Sequence, residues 1–338
     1  MIRKNVHRPL HREVMWDAFR MAWHNKTLWI FALFAGILQT AGIYDVLLSS
    51  VRQMSYQIQT ASPDWVARFG SGGVFHSLAI FFTTPGGLNQ LFVGGFLVLC
   101  MVVCSIIGQG ALVAGIGLRA RGRNAGFVSC LTFGLRYAVP VIGLNIVSLG
   151  LIWIARAFVF VPLLYAIRGP GVWNILGLLV GCILFAIVTI LLTSIHLFGL
   201  QAIVLQGATF AEALLKSIRL FERAWLIILE KALLLLLLGI GILLLALVLF
   251  LFISIPAMLL LVFALLTQTP VLAAAGAWII KALFFVVMIP AGAFAITFQY
   301  GAWNGIYRRL AEGRVLAKLH RWSKWLMEEF HLFHHARS

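Results

Sequence analysis

Six runs of apolar residues dominate this chain, at 28–48, 91–116, 137–154, 172–197, 232–255 and 272–298. Each approaches or exceeds the roughly 20 residues that carry a helix across the ~30 Å hydrocarbon core of a bilayer. Backbone N–H and C=O groups inside lipid find no water, so a spanning run must satisfy them itself, as an α-helix does. The expected fold is an all-α integral membrane protein: one six-span domain over 1–310, followed by a cytoplasmic amphipathic tail over 311–338. Composition points the same way. Of the 338 residues, 62% are apolar and only 11% charged, against about 25% charged in soluble domains, too few to clothe a water-soluble fold of this length. The fifth run is the least regular, because apolar sequence continues past Pro256 to Leu266. A straight helix over 225–266 would be about 60 Å long, twice the hydrocarbon thickness. A bend near Pro256 and a re-entrant or interfacial piece over 257–266 are therefore expected.

Orientation follows from where the 26 Lys and Arg residues fall. Twenty-one lie in alternate segments: the N-terminal stretch, the connections after spans two and four, and the C-terminal tail. The other five are Arg52, Arg68, Arg156, Arg168 and Lys281. Basic residues stay on the cytoplasmic side of a membrane, so this alternation places both termini in the cytoplasm, in a bacterial inner membrane. A seventh span would put the basic tail outside and is rejected. Trp29, Trp225 and Trp303 flank spans on the inner side, and Trp153 and Trp173 on the outer side, as an interfacial aromatic belt would. The segment before the first run is mostly polar and that run is long enough to span, so no cleavable leader is expected. The net charge of +16 has the same topological origin. No separate basic domain stands apart from the spans, and nucleic acid is not an expected partner. Cys100, Cys104, Cys130 and Cys182 read as small buried hydrophobes without disulfides.

The cytoplasmic segments carry helical patterning of their own. Phe210, Leu214, Ile218, Phe221 and Trp225 recur at spacings of three and four, with Glu212, Lys216, Arg219, Glu222 and Arg223 on the other faces. That pattern predicts an amphipathic helix lying along the inner interface, with Glu212 and Lys216 as an i, i+4 pair. Phe127, Leu131, Gly134 and Arg136 match Phe210, Leu214, Ser217 and Arg219 at a constant offset. A looser version precedes span one, with Met15, Phe19 and Trp23 set against Arg12, Glu13, Asp17 and Arg20. The expected unit is an interfacial helix followed by a transmembrane hairpin, repeated three times. Gly110-Ala111 with Gly115-Ile116 echoes Gly301-Ala302 with Gly305-Ile306. In the tail, Leu319, Trp322, Leu326, Phe330 and Phe333 form a fourth such pattern, suited to the inner leaflet or to a partner.

Phe19-x3-Trp23-x5-Trp29 ahead of span one, the 209–225 segment and the closing Gly-Ile-Tyr-Arg-Arg-Leu at 305–310 resemble a known domain. It is the polytopic membrane domain of some bacterial glycerophosphodiester phosphodiesterases and of many stand-alone proteins. The resemblance covers most of 14–310 and implies a membrane module that anchors or accompanies a soluble catalytic domain. No soluble domain is expected here, so the hydrolytic activity is not carried over.

Polar groups at membrane depth are costly and are the first place to look for function. Asn145 falls in span three, Gln109 in span two, His196 near the inner end of span four, Gln299 near that of span six, and Lys281 in span six's outer half. Asp45 falls near the outer end of span one, and Glu230 and Lys231 open span five. They mark either a polar path between helices or ordinary interhelical hydrogen bonds worth about 1 kcal/mol each. His331, His334 and His335 share a helix face beside Glu328 and Glu329, a weak candidate metal grip. The segment carries no distant ligand, so no metal and no cofactor are expected. Gly177-x3-Gly181 and the small residues 273–277 and 291–293 signal close helix packing. The long outward segment 49–89 holds only turn signals. No GxSxG, HExxH, P-loop or dinucleotide fingerprint occurs, so enzymatic chemistry is not expected. The expectation is a membrane scaffold or accessory module. Its inner helices, through Arg308, Arg309, Arg314, Lys216, Arg219 and Arg223, contact anionic phospholipid or an unidentified protein. The alternative is a small-molecule transporter or channel with a polar path between spans two, three and six.

Overall fold

A computed structural model describes residues 10–36, 87–168 and 172–311. Within them the chain is helical, and no strand occurs. The helices are α1 (Leu10–His24), α2 (Lys26–Gly36), α3 (Gly87–Ala120), α4 (Phe127–Arg136), α5 (Ala138–Arg168), α6 (Val172–Gln206), α7 (Phe210–Leu266) and α8 (Pro270–Ala311). Four of them (α3, α6, α7 and α8) are long and apolar enough to cross a membrane, and a fifth span results if α4 and α5, bent by 65° from each other, count as one. α2 is apolar but short, and the rest of the expected span one lies outside the described residues. So do Asp45, most of the 49–89 segment, and the tail with Arg314, His331, His334 and His335.

Most boundaries have local causes. Pro140 in the first turn of α5 has no N–H to bond back into α4, and Tyr137 between them leaves helical geometry at φ −100°, ψ 10°. Gly122 (φ 73°) follows α3, and Gly207 (φ 69°) ends α6, a left-handed backbone that favours glycine. α7 opens with a reciprocal cap: the Thr209 N–H donates to Glu212 Oε2 at 3.2 Å, and the Glu212 N–H donates to Thr209 Oγ1 at 3.5 Å. Glu212 thus turns back to Thr209 and does not pair with Lys216, whose Nζ donates to Gln206 Oε1 at 3.5 Å.

The bend expected at Pro256 is not there. α7 keeps helical backbone through Pro256 to Leu266, and its one non-helical residue is Ala224 (φ −137°, ψ 21°). No Pro or Gly stands near Ala224. The kink falls just after the charged arm that carries Glu212, Lys216, Arg219, Glu222 and Arg223. Pairing explains why the distal part continues. α8, 42 residues and about 63 Å long, packs along α7 to the turn at Thr267–Thr269, and small residues make the contact. Ala257 and Ala264 are buried, and Gly276 comes so close that an added Cβ would meet Leu261 N at 3.4 Å and Ala257 O at 3.5 Å. The Gly177-x3-Gly181 signal has no such counterpart, because a Cβ at either position would meet nothing within 4 Å.

Three short elements dock on the ends of long helices. α1 packs against α8, α4 against α3, and the first arm of α7 against α6. The docking faces are small rather than bulky: Val14, Ala18 and Ala22 on α1, Cys130 and Gly134 on α4, and Ala213 and Ser217 on α7. A Cβ on Gly110 would meet Gly134 Cα at 3.1 Å, and one on Gly301 would meet Ala18 Cβ at 3.4 Å. The bulky stripes of the amphipathic patterns are only partly covered. Phe19, Trp23 and Trp225 are exposed, and Met15, Phe210, Leu214, Ile218 and Phe221 are half-buried. Trp16 stacks on Phe19, and Phe19 and Trp23 both meet Phe294 edge-on. α3, α6 and α8 also touch one another, and one apolar core joins this end of the bundle, with Leu112, Ile116, Leu144, Phe198, Ile203, Ile228 and Tyr300 at its centre. Away from that end the helices expose most of their large apolar side chains, Phe92, Phe96, Leu237, Leu245 and Phe252 among them. An aqueous surface would not tolerate such a stretch, whereas lipid does.

Candidate functional site

The membrane-depth polar groups gather inside the packed end. Asn145 on α5 and Gln109 on α3 are buried, and Asn145 Nδ2 donates to Gln109 Oε1 at 2.9 Å and to Val141 O at 2.9 Å. One turn along α5, Ser148 Oγ lies 3.1 Å from Nδ1 of the buried His196 on α6. Three helices are therefore joined by two side-chain hydrogen bonds, each worth about 0.6–1 kcal/mol in such surroundings. Patterning did not single out Ser148, although it sits three residues from Asn145 on the same face. It also missed Ser105, Gln201, Thr297 and Asn304, all buried. Thr297 bonds its own helix at Ala293 O. Ser105 Oγ, Gln109 Nε2, Gln201 Oε1 and Asn304 Nδ2 are buried with no hydrogen-bond partner among the described residues. Gln299 is half-buried and away from this cluster's named contacts.

The remaining sequence candidates scatter. Lys281 is exposed, with Nζ 5.1 Å from the Trp278 ring centre, a cation–π contact. Lys231 is buried and its Nζ lies 3.2 Å from Glu230 Oε1. Trp303, expected in the interfacial belt, is instead a core residue packed edge-on against Phe198. Of the cysteines, only Cys130 fits the buried expectation fully. Cys100 is half-buried, Cys104 is exposed on the lipid-facing part of α3, and Cys182's side chain lies outside the description, as do those of Trp153 and Trp173. Among the described residues no three His, Cys, Asp or Glu side chains converge as a metal site would require.

The basic residues converge more than the polar ones. Lys216, Arg219 and Arg223 are exposed on the first arm of α7. Arg308 is exposed at the end of α8, with Nη1 3.5 Å from Ala120 O at the end of α3. Arg309 is half-buried, with Nη2 3.7 Å from Glu13 Oε2 on α1. Arg308 and Arg309 therefore do more than coat a surface: they tie the ends of α3, α1 and α8 together. Arg121, Gln206 and Tyr307 stand beside Arg308, a grouping that linear patterning does not reveal because the residues come from three distant segments. No family model matches this chain, and comparison with curated proteins and with solved structures gives no match either.

Proposed function

We propose that this protein is a six-span scaffold of the bacterial inner membrane, without chemistry of its own, that presents a basic cytoplasmic face to anionic phospholipid or to a partner protein. Its architecture on this reading is a pseudo-threefold ring of hairpins: α2 with α3, α5 with α6, and α7 with α8. Each hairpin is introduced by a short helix that docks on the second helix of the hairpin before it, and α1 closes the ring on α8. The matching buried pairs Cys130/Gly134 and Ala213/Ser217, set at the same offset as the sequence repeat, support that arrangement.

The observation that carries the functional reading is a contrast. Gln109 and Asn145, the polar groups best placed to line a path, are buried and bonded to each other. Lys216, Arg219, Arg223 and Arg308 are exposed, and Lys216 reaches Gln206 beside Arg308. A basic residue near an anionic leaflet contributes about 1 kcal/mol of attraction, weakening with salt. Replacing Lys216, Arg219 and Arg223 by Gln is expected to lower the enrichment of phosphatidylglycerol over phosphatidylcholine around the reconstituted protein, with the difference shrinking as salt rises. Equal enrichment around both proteins at low salt would remove the lipid reading.

The second reading, a transporter or channel between spans two, three and six, draws on the orphan atoms Gln109 Nε2, Gln201 Oε1 and Asn304 Nδ2. It requires water at that depth. A cysteine introduced at Ser105 would then react with a water-soluble thiol reagent, and complete protection would rule the path out.

A further inference from the structure

The helix ends that meet at the basic face enclose an open cleft lined by Arg121, Leu205, Gln206, Tyr307, Arg308 and Ala311, with a volume of about 180 Å³. That is several times the ~30 Å³ share of a water molecule. Arg121 stands on the turn after α3, Leu205 and Gln206 close α6, and Tyr307 to Ala311 finish α8. These are the three mutually touching helices, so the cleft sits at the inner end of the bundle's centre. Its polar groups are held in place. The Gln206 side chain neighbours the Tyr307 hydroxyl in the lining and accepts from Lys216 Nζ at 3.5 Å. Arg308 is steadied by Ala120 O at 3.5 Å. No lining residue is acidic. Glu312, next in the chain, lies outside the described residues.

Two opposing fields decide the ligand's sign. A helix C-terminus carries about half a negative charge, which favours a cation. Three such ends border the cleft, those of α3 and α6 and that of α8, whose last residue, Ala311, is in the lining. Some of the last carbonyls of α3 and α6 are occupied by the chain itself: Leu118 O by the Arg121 and Arg123 N–H groups, Arg119 O by Gly122 N–H, Ile203 O by Gly207 N–H and Ala202 O by Ala208 N–H. Against three half-charges, those at α3 and α6 partly offset, stand the full charges of Arg121 and Arg308 in the lining, with Lys216 one hydrogen bond behind. The cleft is net positive. Two guanidinium forks with an amide and a phenol between them match a tetrahedral oxyanion better than a halide or a single carboxylate.

We propose that the cleft formed by Arg121, Gln206, Tyr307 and Arg308 is a phosphate-binding site, filled by a phospholipid headgroup or by a soluble phosphate. The lipid case rests on the reading of this face as the one turned to an anionic leaflet; the soluble case does not.

Calorimetric titration of the full chain in neutral detergent separates the sources, using short-chain phosphatidylglycerol in one arm and inorganic phosphate in the other. The expected result is saturable binding of one equivalent in at least one arm. Heat in the lipid arm alone identifies a headgroup, and heat in both identifies phosphate itself. Removing a charge-assisted hydrogen bond costs 1.5–3 kcal/mol, so Arg121→Gln is expected to weaken binding by about tenfold or more. Arg121 is exposed on a turn, so its loss leaves the core alone, and Tyr307→Phe gives a second variant that removes only the hydroxyl. Arg219→Gln with Arg223→Gln, outside the cleft, is expected to bind as the wild type does. No saturable binding in either arm, or wild-type binding by both Arg121→Gln and Tyr307→Phe, overturns the site. If the site fails while the Lys216, Arg219 and Arg223 replacement still lowers lipid enrichment, the scaffold reading stands alone. If the site holds and enrichment is unchanged, the cleft survives without the broader lipid reading.

Discussion

Gly134→Ala is expected to loosen the protein although it adds a single methyl group. An ideal Cβ on Gly134 would lie 2.5 Å from Ile107 O, 3.0 Å from Ala111 N and 3.1 Å from Ala111 Cβ. Two of these are backbone atoms of α3, which cannot swing aside as the tip of a long side chain can. Overpacking of this kind costs about 1–3 kcal/mol, and the rigid neighbours argue for the upper half of that range. Ala regains up to about 1 kcal/mol over Gly in a helix, leaving a net loss of about 1–2 kcal/mol. Gly150 on α5 is the control, since a Cβ there would meet nothing within 4 Å, and Gly150→Ala is expected to be neutral or slightly stabilising. Equilibrium unfolding in mixed micelles, followed by tryptophan fluorescence, measures both. Gly110→Ala is expected to repeat the loss, because Gly110 faces Gly134 across the same contact. The two together should cost less than the sum, having damaged one interface. If Gly134→Ala is as stable as Gly150→Ala, the docking of α4 on α3 through small residues is wrong.

Two further perturbations follow from the same structure. Gln109→Leu and Asn145→Leu, singly and together, form a double-mutant cycle in which a coupling of about 1 kcal/mol is expected; zero coupling in unfolding experiments would deny the 2.9 Å bond between them. Thr209→Ala removes one half of the cap on α7 and is expected to cost about 0.5–2 kcal/mol, with faster hydrogen exchange confined to the first turns of that helix. Unchanged exchange there would mean that the cap does not hold the α7 start.

The helical class and the long apolar elements were legible because backbone satisfaction in lipid leaves a long apolar run few alternatives. The positions of α1, α4 and the first arm of α7 were legible from their spacing, and the Thr209-x2-Glu212 cap could have been read from the sequence as well. Which face would pack was not. Hydrophobicity marked Phe210, Leu214 and Ile218 as the apolar face of an interfacial helix, but it did not reveal that the closest helix–helix approach runs through the small residues Ala213, Ser217, Cys130 and Gly134. The same logic misled the reading of Trp303, which is apolar enough for either place and was taken for an interfacial anchor. Pro256 was misread because a proline predicts a lost hydrogen bond, while a partner helix packed on both sides of it keeps the axis continuous. The cleft was illegible for a different reason: Arg121, Gln206 and Arg308 are far apart in sequence, and only the meeting of three helix ends makes them neighbours.

The account depends most on the basic helix ends and the α7–α8 turn lying on opposite sides of one membrane. In a cysteine-free background, Arg123→Cys and Gln268→Cys can each be labelled by a membrane-impermeant maleimide in sealed vesicles of known orientation. Labelling of position 123 from the cytoplasmic side only, and of position 268 from the outer side only, is the predicted result. Labelling of both positions from the same side would contradict the topology and, with it, the assignment of the basic face to the cytoplasm.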